Sequence, residues 1–280
     1  MKSIKTVLVD KLTNGNVIVN REDKIIEESP LQIIIAYNKN GERKREVLLV
    51  TMRTPGDDFN MVAGFLFCEG IIQKFKDILS MKYIGNAEKA QQENVMLVEL
   101  ASHVSFNFEE KKRHFLSTSA CGFCGRLNDI LSEGIVFIPG SNDIKVHASM
   151  LYALPSLLKS SQGLFSETGG AHAVALINAK GELLHVSEDA GRHNAMDKLV
   201  GTMLKRDALP LKNQMIVFSG RLSYELIQKS LMAGISFICS IGAPTSLALE
   251  LAEDYGITVI GFLKKESLNI YCGAERIIHE

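Results

Sequence analysis

Along the chain, the rhythm of hydrophobic and polar positions changes near the middle. In the N-terminal third, apolar residues come in short, β-branched runs. Val17 to Ile26 starts apolar and then carries Arg21-Glu-Asp-Lys24, a charged stretch that reads as a turn. Leu31–Ala36 and Glu46–Thr51, separated by the turn residues Asn38-Lys-Asn-Gly41, predict a hairpin. Thr54-Pro-Gly-Asp57 then opens a helix. Asp57 or Asp58 can cap it, and Phe59, Val62, Ala63, Leu66 and Phe67 recur at helical spacing as one apolar stripe. Cys68, beside that stripe, is expected in the core, where free thiols usually lie. Ile78–Ile84 and Val95–Leu100 are two further strands.

From Ile144 onward strands and helices alternate. Ile144 to Leu158 reads as mostly helical, with Pro155 expected to limit it. Ala171–Ile177 and Glu182–Ser187 are strands joined through the turn Asn178-Ala-Lys-Gly181, and a helix follows from Gly191 to Lys205. Met215–Phe218 precedes a helix from Ser223 to Ala233, and Ser236–Cys239 precedes one from Pro244 to Tyr255. Ile257–Ile260 and Leu268–Tyr271 close the series. Such alternation predicts a largely parallel sheet covered by helices. The fold class is therefore α+β with an α/β part. It comprises a strand-rich N-terminal domain (1–112), a connector (113–143) and a C-terminal α/β/α domain (144–280).

Composition narrows the function classes. With 46% hydrophobic and 22% charged residues, the chain is that of a soluble globular protein. A formal net charge of −1 leaves no general electrostatic footprint for nucleic acid. No apolar run reaches the ~18 residues of a membrane span, and the N-terminus is charged too soon for a signal peptide. Five cysteines, of which only two are close in sequence, suggest free thiols in a reducing cytoplasm rather than a disulfide framework.

Those two are Cys121 and Cys124, in Ser117-Thr-Ser-Ala-Cys-Gly-Phe-Cys-Gly-Arg126. Small, hydroxyl and glycine neighbours predict a solvent-reachable loop, poorly ordered without a partner, and a short helix follows at Leu127–Leu131. Arg113 and Arg126 favour the reactive thiolate. A second set of polar residues sits in the C-terminal turns. Phe218-Ser-Gly-Arg221 and Ser240-Ile-Gly-Ala-Pro-Thr-Ser246 each leave a strand and open a helix, where free N–H groups attract phosphate. Lys264 and Lys265, in Gly261-Phe-Leu-Lys-Lys-Glu-Ser267, can meet a pyrophosphate. Glu188-Asp-Ala-Gly-Arg-His-Asn194 packs acids, a guanidinium, an imidazole and an amide together, although Ser187 or Asp189 can equally serve as a plain helix cap. Thr168-Gly-Gly-Ala-His172 is similar. These stretches can line one crevice, but Gly/Ser turns are common in α/β domains, and no Walker or G-x-G-x-x-G pattern is present.

Taken together, Arg53-Thr-Pro-Gly-Asp57, Gly64-Phe-Leu-Phe-Cys-Glu-Gly70, Ser119-Ala-Cys-Gly-Phe-Cys-Gly125, Thr168-Gly-Gly-Ala-His172, Glu188 to Lys198, Ser219-Gly-Arg221 and Ala243-Pro-Thr-Ser246 resemble the FdhD/NarQ family of formate dehydrogenase accessory sulfurtransferases. The resemblance runs in order from about residue 30 to 272. It implies a cytoplasmic sulfurtransferase, a carrier that takes persulfide sulfur from a cysteine desulfurase on Cys121, with Cys124 assisting. The sulfur would go to the molybdenum of a bis(molybdopterin guanine dinucleotide) cofactor destined for the formate dehydrogenase apoenzyme. It also implies a cytidine-deaminase-like C-terminal domain, a homodimer, and a guanine-nucleotide crevice that GDP would partly mimic. The family's cofactor-binding stretch falls on Phe262, Leu263, Lys264, Lys265, Glu266 and Ser267. Gly220, Arg221, His172, Asp189, Arg192 and His193 join it as candidates. Many members carry arginine where this chain has Lys264, which keeps the charge but not the forked donor geometry.

Rival chemistries fit less well. A zinc deaminase needs H-x-E followed by P-C-x-x-C, whereas His172 is followed by Ala173 and Val174 and the cysteine pair comes earlier. A four-cysteine zinc site lacks a second pair, zinc held by mixed cysteine and histidine is a minor alternative, and no metal ligands are expected. No βαβ unit frames the pair as in thioredoxin-like oxidoreductases. The remaining alternative is a non-catalytic chaperone for the cofactor or apoenzyme.

Overall fold

The computed structural model describes residues 2–39, 41–85, 93–105, 108 and 144–279. The chain opens with a ribbon of two antiparallel strands, β1 (Ile4–Thr13) and β2 (Asn16–Ile26). The turn expected at Arg21–Lys24 is not there. Arg21 pairs with Val9 and Lys24 with Thr6, inside the strands. The chain reverses instead at Asn14-Gly15, both at positive φ, as a tight right-twisted hairpin requires. Charges are tolerated along β2 because nearly all of it is exposed.

The hairpin comes next and is longer than predicted: β3 (Ser29–Lys39) and β4 (Glu42–Arg53). With β5 (Ile78–Tyr83) and β6 (Val95–Leu100) they form a sheet of order β4-β3-β6-β5. Helix α1 (Asp58–Cys68) buries Met61, Val62, Ala63 and Leu66 against Leu31, Ile33, Ile35, Met96 and Val98 of this sheet. Each of the Met, Val, Leu and Ile side chains among these contributes ~1.5–3 kcal/mol by leaving water. Met61 takes the inward place expected of Phe59, which is exposed and meets Tyr83 edge-on. Cys68 is in the core. Asp57 holds the N-cap position, but its carboxylate accepts from Asn60 Nδ2 (2.7 Å) rather than capping the backbone.

In the C-terminal part, β7 (Val146–His147) leads into α2 (Ala148–Ser161) and α3 (Gly163–Thr168). Pro155 does not limit α2. The helix runs on to Ser161 because Leu151, Leu154 and Leu158 anchor one face in the core. Strands β8 (His172–Asn178), β9 (Leu183–Asp189), β10 (Gln214–Phe218), β11 (Phe237–Ser240), β12 (Thr258–Gly261) and β13 (Asn269–Cys272) form a six-stranded sheet, order β13-β12-β11-β10-β8-β9. Finally, β14 (Ile277–Ile278) pairs with β7. The six-stranded sheet is mixed rather than largely parallel: only β10–β11 and β11–β12 run parallel. Short connections such as Asn178–Gly181 can join only antiparallel neighbours; parallel ones need a crossover.

Successive strand residues point to opposite faces. Val174, Leu176, Ile216, Phe218 and Ile238 pack on the side of α4 (Arg192–Lys205), α5 (Tyr224–Met232) and α6 (Ser246–Asp254). Ala173, Ala175, Ile177, Met215, Val217 and Phe237 pack on the side of α2. The result is an α/β/α arrangement within an α+β chain. The N-terminal unit is fastened to it where α1 crosses α4. A methyl group at Gly64 would overlap the Asp197 carbonyl, and one at Gly201 would overlap that of Asn60, so the two backbones touch. Beside this crossing Lys229 Nζ meets Asp197 Oδ1 at 2.6 Å, with both side chains buried.

Candidate functional site

Strand directions decide where the polar turns meet. β10, β11 and β12 run the same way; β8 opposes β10, and β9 opposes β8. The carboxyl ends of β9, β10, β11 and β12 therefore share one edge with the amino end of β8. His172, the turn into α4, Ser219-Gly220-Arg221, Ser240 to Thr245 and Phe262–Ser267 all lie on it. Topology thus brings these polar turns to one sheet edge.

The contacts along this edge are close. Ser219 Oγ accepts from Ala173 N–H (2.9 Å) and lies 3.4 Å from His172 Nδ1. A Cβ at Gly220 would sit 3.0 Å from the His172 ring and 3.9 Å from Arg192 Cδ, so glycine lets these three residues converge. A Cβ at Gly242 would sit 2.9 Å from Arg221 N. Burial, then the positive Arg192 beside it, holds the His172 imidazole below its usual pKa, with His193 adding to the effect. Among the described residues Arg192 Nε is buried without a hydrogen-bond partner.

Helices α4, α5 and α6 start at this edge, and none has a side-chain cap from its N-cap residue (Gly191, Ser223, Thr245). The Ser223 hydroxyl lies instead 3.1 Å from His193 Nε2, which is 2.8 Å from Glu225 Oε2. The hydrogen bond to His193 keeps the Glu225 carboxyl below its ordinary range despite desolvation. Phe262 is exposed and held at φ 50°, in the left-handed region that bulky residues avoid, with its N–H on Gly242 O (3.0 Å). Lys264, Lys265, Glu266 and Ser267 are exposed, and Lys264 N–H donates to Ser267 O (2.8 Å) to close their turn. Arg221 is also exposed.

Two candidates have other employment. Leu263 is fully buried in the core on the α2 side, and its N–H donates to Ser240 O, so its side chain does not line the crevice. Asp189 is also fully buried. It pairs with Lys198 (2.7 Å) and accepts from the N–H groups of Thr54 (3.0 Å) and Gly191 (2.8 Å), so it acts beneath the crevice. Thr54, Lys198, Ser219 and Glu225 were not among the candidates. The Arg53–Asp57 and Glu188–Lys198 motifs were the signal for the first two, since each is a polar run with one end in a buried element, Arg53 closing β4 and Lys198 inside α4. Cys121, Cys124, Arg113, Arg126 and the helix expected at Leu127–Leu131 lie outside the described residues. Among those described, no group of three or more His, Cys, Asp or Glu residues could hold a metal ion, and no helix is long and apolar enough to cross a membrane.

Comparison with known proteins sets this site in a family. The FdhD/NarQ family profile matches residues 26–278. The chain belongs to the FdhD/NarQ family. It is 41% identical over 266 residues to proteins named sulfur carrier protein FdhD from Mycobacterium bovis and Mycobacterium tuberculosis, covering 93% of this chain and 94% of each relative. A relative of the same name from Saccharolobus solfataricus is 41% identical over 255 residues, 91% of each chain. In fold, the FdhD/NarQ chain matches a crystal structure described as a formate dehydrogenase accessory protein from Desulfotalea psychrophila, with TM-score 0.71 and 23% identity over 99% of this chain and 100% of that one.

Proposed function

We propose that this FdhD/NarQ protein is a cytoplasmic sulfur carrier that serves a formate dehydrogenase. The Cys121 thiolate attacks the terminal sulfur of a cysteine desulfurase persulfide. A new S–S bond forms at Cys121 while the donor's S–S bond breaks and the donor cysteine leaves as thiolate. Cys124 assists by exchange. The Cys121 S–S bond then breaks, Cys121 leaves as thiolate, and the carried sulfur passes to the molybdenum of the bis(molybdopterin guanine dinucleotide) cofactor, the substrate of the transfer, whose reduced metal supplies the two electrons that take the sulfur to sulfide, before insertion into the apoenzyme. The crevice holds the guanine nucleotide ends of that substrate, and two copies of the chain act as a homodimer.

The observation that carries the nucleotide part is the convergence on one sheet edge of three helix starts without side-chain caps, a guanidinium with an unpartnered nitrogen, and two exposed lysines. Helix N-termini favour anions. Arg192 gives forked contacts to phosphate, Lys264 and Lys265 add charge, and Phe262 offers an exposed ring for a base. The sulfur part rests on the family and on the Cys121-Gly-Phe-Cys124 motif. Incubation with a desulfurase and cysteine, followed by intact-mass analysis, tests it. A reductant-sensitive one-sulfur adduct on the wild type and none on Cys121→Ala is expected. Equal adducts on both would remove Cys121 from the role.

A further inference from the structure

A clamp from the N-terminal unit grips the loop that presents Arg192 and His193. Its centre is Thr54, which is fully buried and uses all three of its polar groups on the other unit. Thr54 N–H donates to Asp189 Oδ2 (3.0 Å), its carbonyl accepts from Lys198 Nζ (3.0 Å), and its Oγ1 accepts from Ala190 N–H (3.0 Å). Next to it, Met52 O accepts from Asn194 Nδ2 (2.7 Å), and Asn194 also donates to Asp189 Oδ1 (3.1 Å). The clamp is itself immobilised. Arg53, with no exposed surface, makes a forked pair with Asp58 (2.9 and 2.8 Å) and donates to Glu93 O (2.9 Å).

Fastening the two units together does not require these bonds, because the α1–α4 crossing already does so. The clamp's bonds fall mainly on the end of β9, the turn after it and the first turn of α4, at Asp189, Ala190 and Asn194, which bracket Arg192 and His193 in the chain. We infer that Thr54, with Asp189 and Lys198, is a positioning device that fixes the Arg192 and His193 side chains for the phosphate groups of the nucleotide. This rests on the nucleotide reading of the crevice. The N-terminal unit therefore sets the geometry of a nucleotide site whose candidate residues, His172 to Ser267, all lie in the C-terminal part of the chain.

Thr54→Val tests it, since it keeps the shape but removes the acceptor for Ala190 N–H. GDP affinity, measured by calorimetry, is expected to fall about tenfold and to return with Thr54→Ser. Asn194→Ala, which cuts the clamp at its other end, is expected to act in the same direction and serves if Thr54→Val does not fold. Leu48→Ala, in the N-terminal core, supplies a destabilised control with wild-type GDP affinity. NMR titration of His172 gives a readout that needs no ligand. With Arg192 displaced, its midpoint is expected to rise towards the ordinary histidine value in Thr54→Val and stay put in Leu48→Ala. Wild-type GDP affinity and His172 titration in both clamp variants would overturn the inference. Failure of the wild type to bind GDP would instead strike the nucleotide reading, and the His172 titration would still decide whether the clamp positions Arg192.

Discussion

The α1–α4 crossing and the strand-end crevice draw on stretches of the same motifs, yet they are opposite kinds of place. At the crossing, backbone touches backbone at Gly64 and Gly201, and Asp197 and Lys229 are paired out of water. At the crevice, Arg192 keeps an unpartnered nitrogen, helix starts lack side-chain caps, and lysines face solvent. Packed regions with satisfied polar groups hold a shape, whereas regions with spare hydrogen-bonding capacity can take a ligand. A shared motif can thus serve two ends. In Glu188 to Lys198, Arg192 and His193 are half-buried at the strand-end edge, Lys198 is paired with Asp189 beneath it, and Asp197 is buried at the crossing.

The sharpest break between the regions is expected at Gly64. Gly64→Val must force the two helices apart, because the overlapping atoms are backbone that cannot rotate away. The loss of unfolding free energy in denaturant titration is expected to exceed about 3 kcal/mol, the upper range for overpacking. A loss below 1 kcal/mol would show that the crossing is slack.

Substitutions in the crevice should do the reverse. Arg192→Gln is expected to weaken GDP binding about ten- to a hundredfold, the cost of losing charged hydrogen bonds, while stability moves by less than about 0.5 kcal/mol. Lys264→Ala with Lys265→Ala is expected to cost only severalfold, because exposed charges are screened. Calorimetry and thermal melts on the same samples separate the two quantities. Unchanged affinity in all of them would move the nucleotide elsewhere.

How much of this contrast the sequence exposes depends on the element. The strand and helix alternation after residue 170 was legible because each strand is a short apolar run bounded by Gly, Ser or Asn. The stretches Thr168–His172, Glu188–Asn194 and Ser219–Arg221 were read as neighbours, and they are. The antiparallel β8–β9 pair was legible from its short turn, but the direction of β10 against β8, which a helix separates in the chain, was not, since local pattern does not encode which strands become neighbours. β1 escaped notice because a ribbon exposed on both faces has no buried alternation to display. Leu263 and Asp189 were read as ligand-facing, although one fills the core and the other joins the clamp. Sequence spacing shows that residues are adjacent, not which way each side chain turns.

A smaller effect is expected from pH. Burial and Arg192 hold His172 below the usual histidine value in the free protein. A phosphate bound nearby favours the imidazolium and raises that value, so binding takes up a proton. GDP affinity in the wild type, relative to His172→Asn, should therefore rise by less than about tenfold as pH falls from about 7.5 towards 6. Calorimetry at three pH values checks the slope. A parallel response in both proteins would place the phosphate away from His172.

Cys121 is proposed to carry sulfur to a client rather than merely to contact it. The most direct measurement is the specific activity of formate dehydrogenase matured in cells that contain Cys121→Ala as the sole form of this protein, with both proteins expressed normally. Loss of client activity, with folding and GDP binding of the variant retained, is the expected result. An active client at wild-type level would contradict it and leave a cofactor chaperone without a sulfur-carrying thiol.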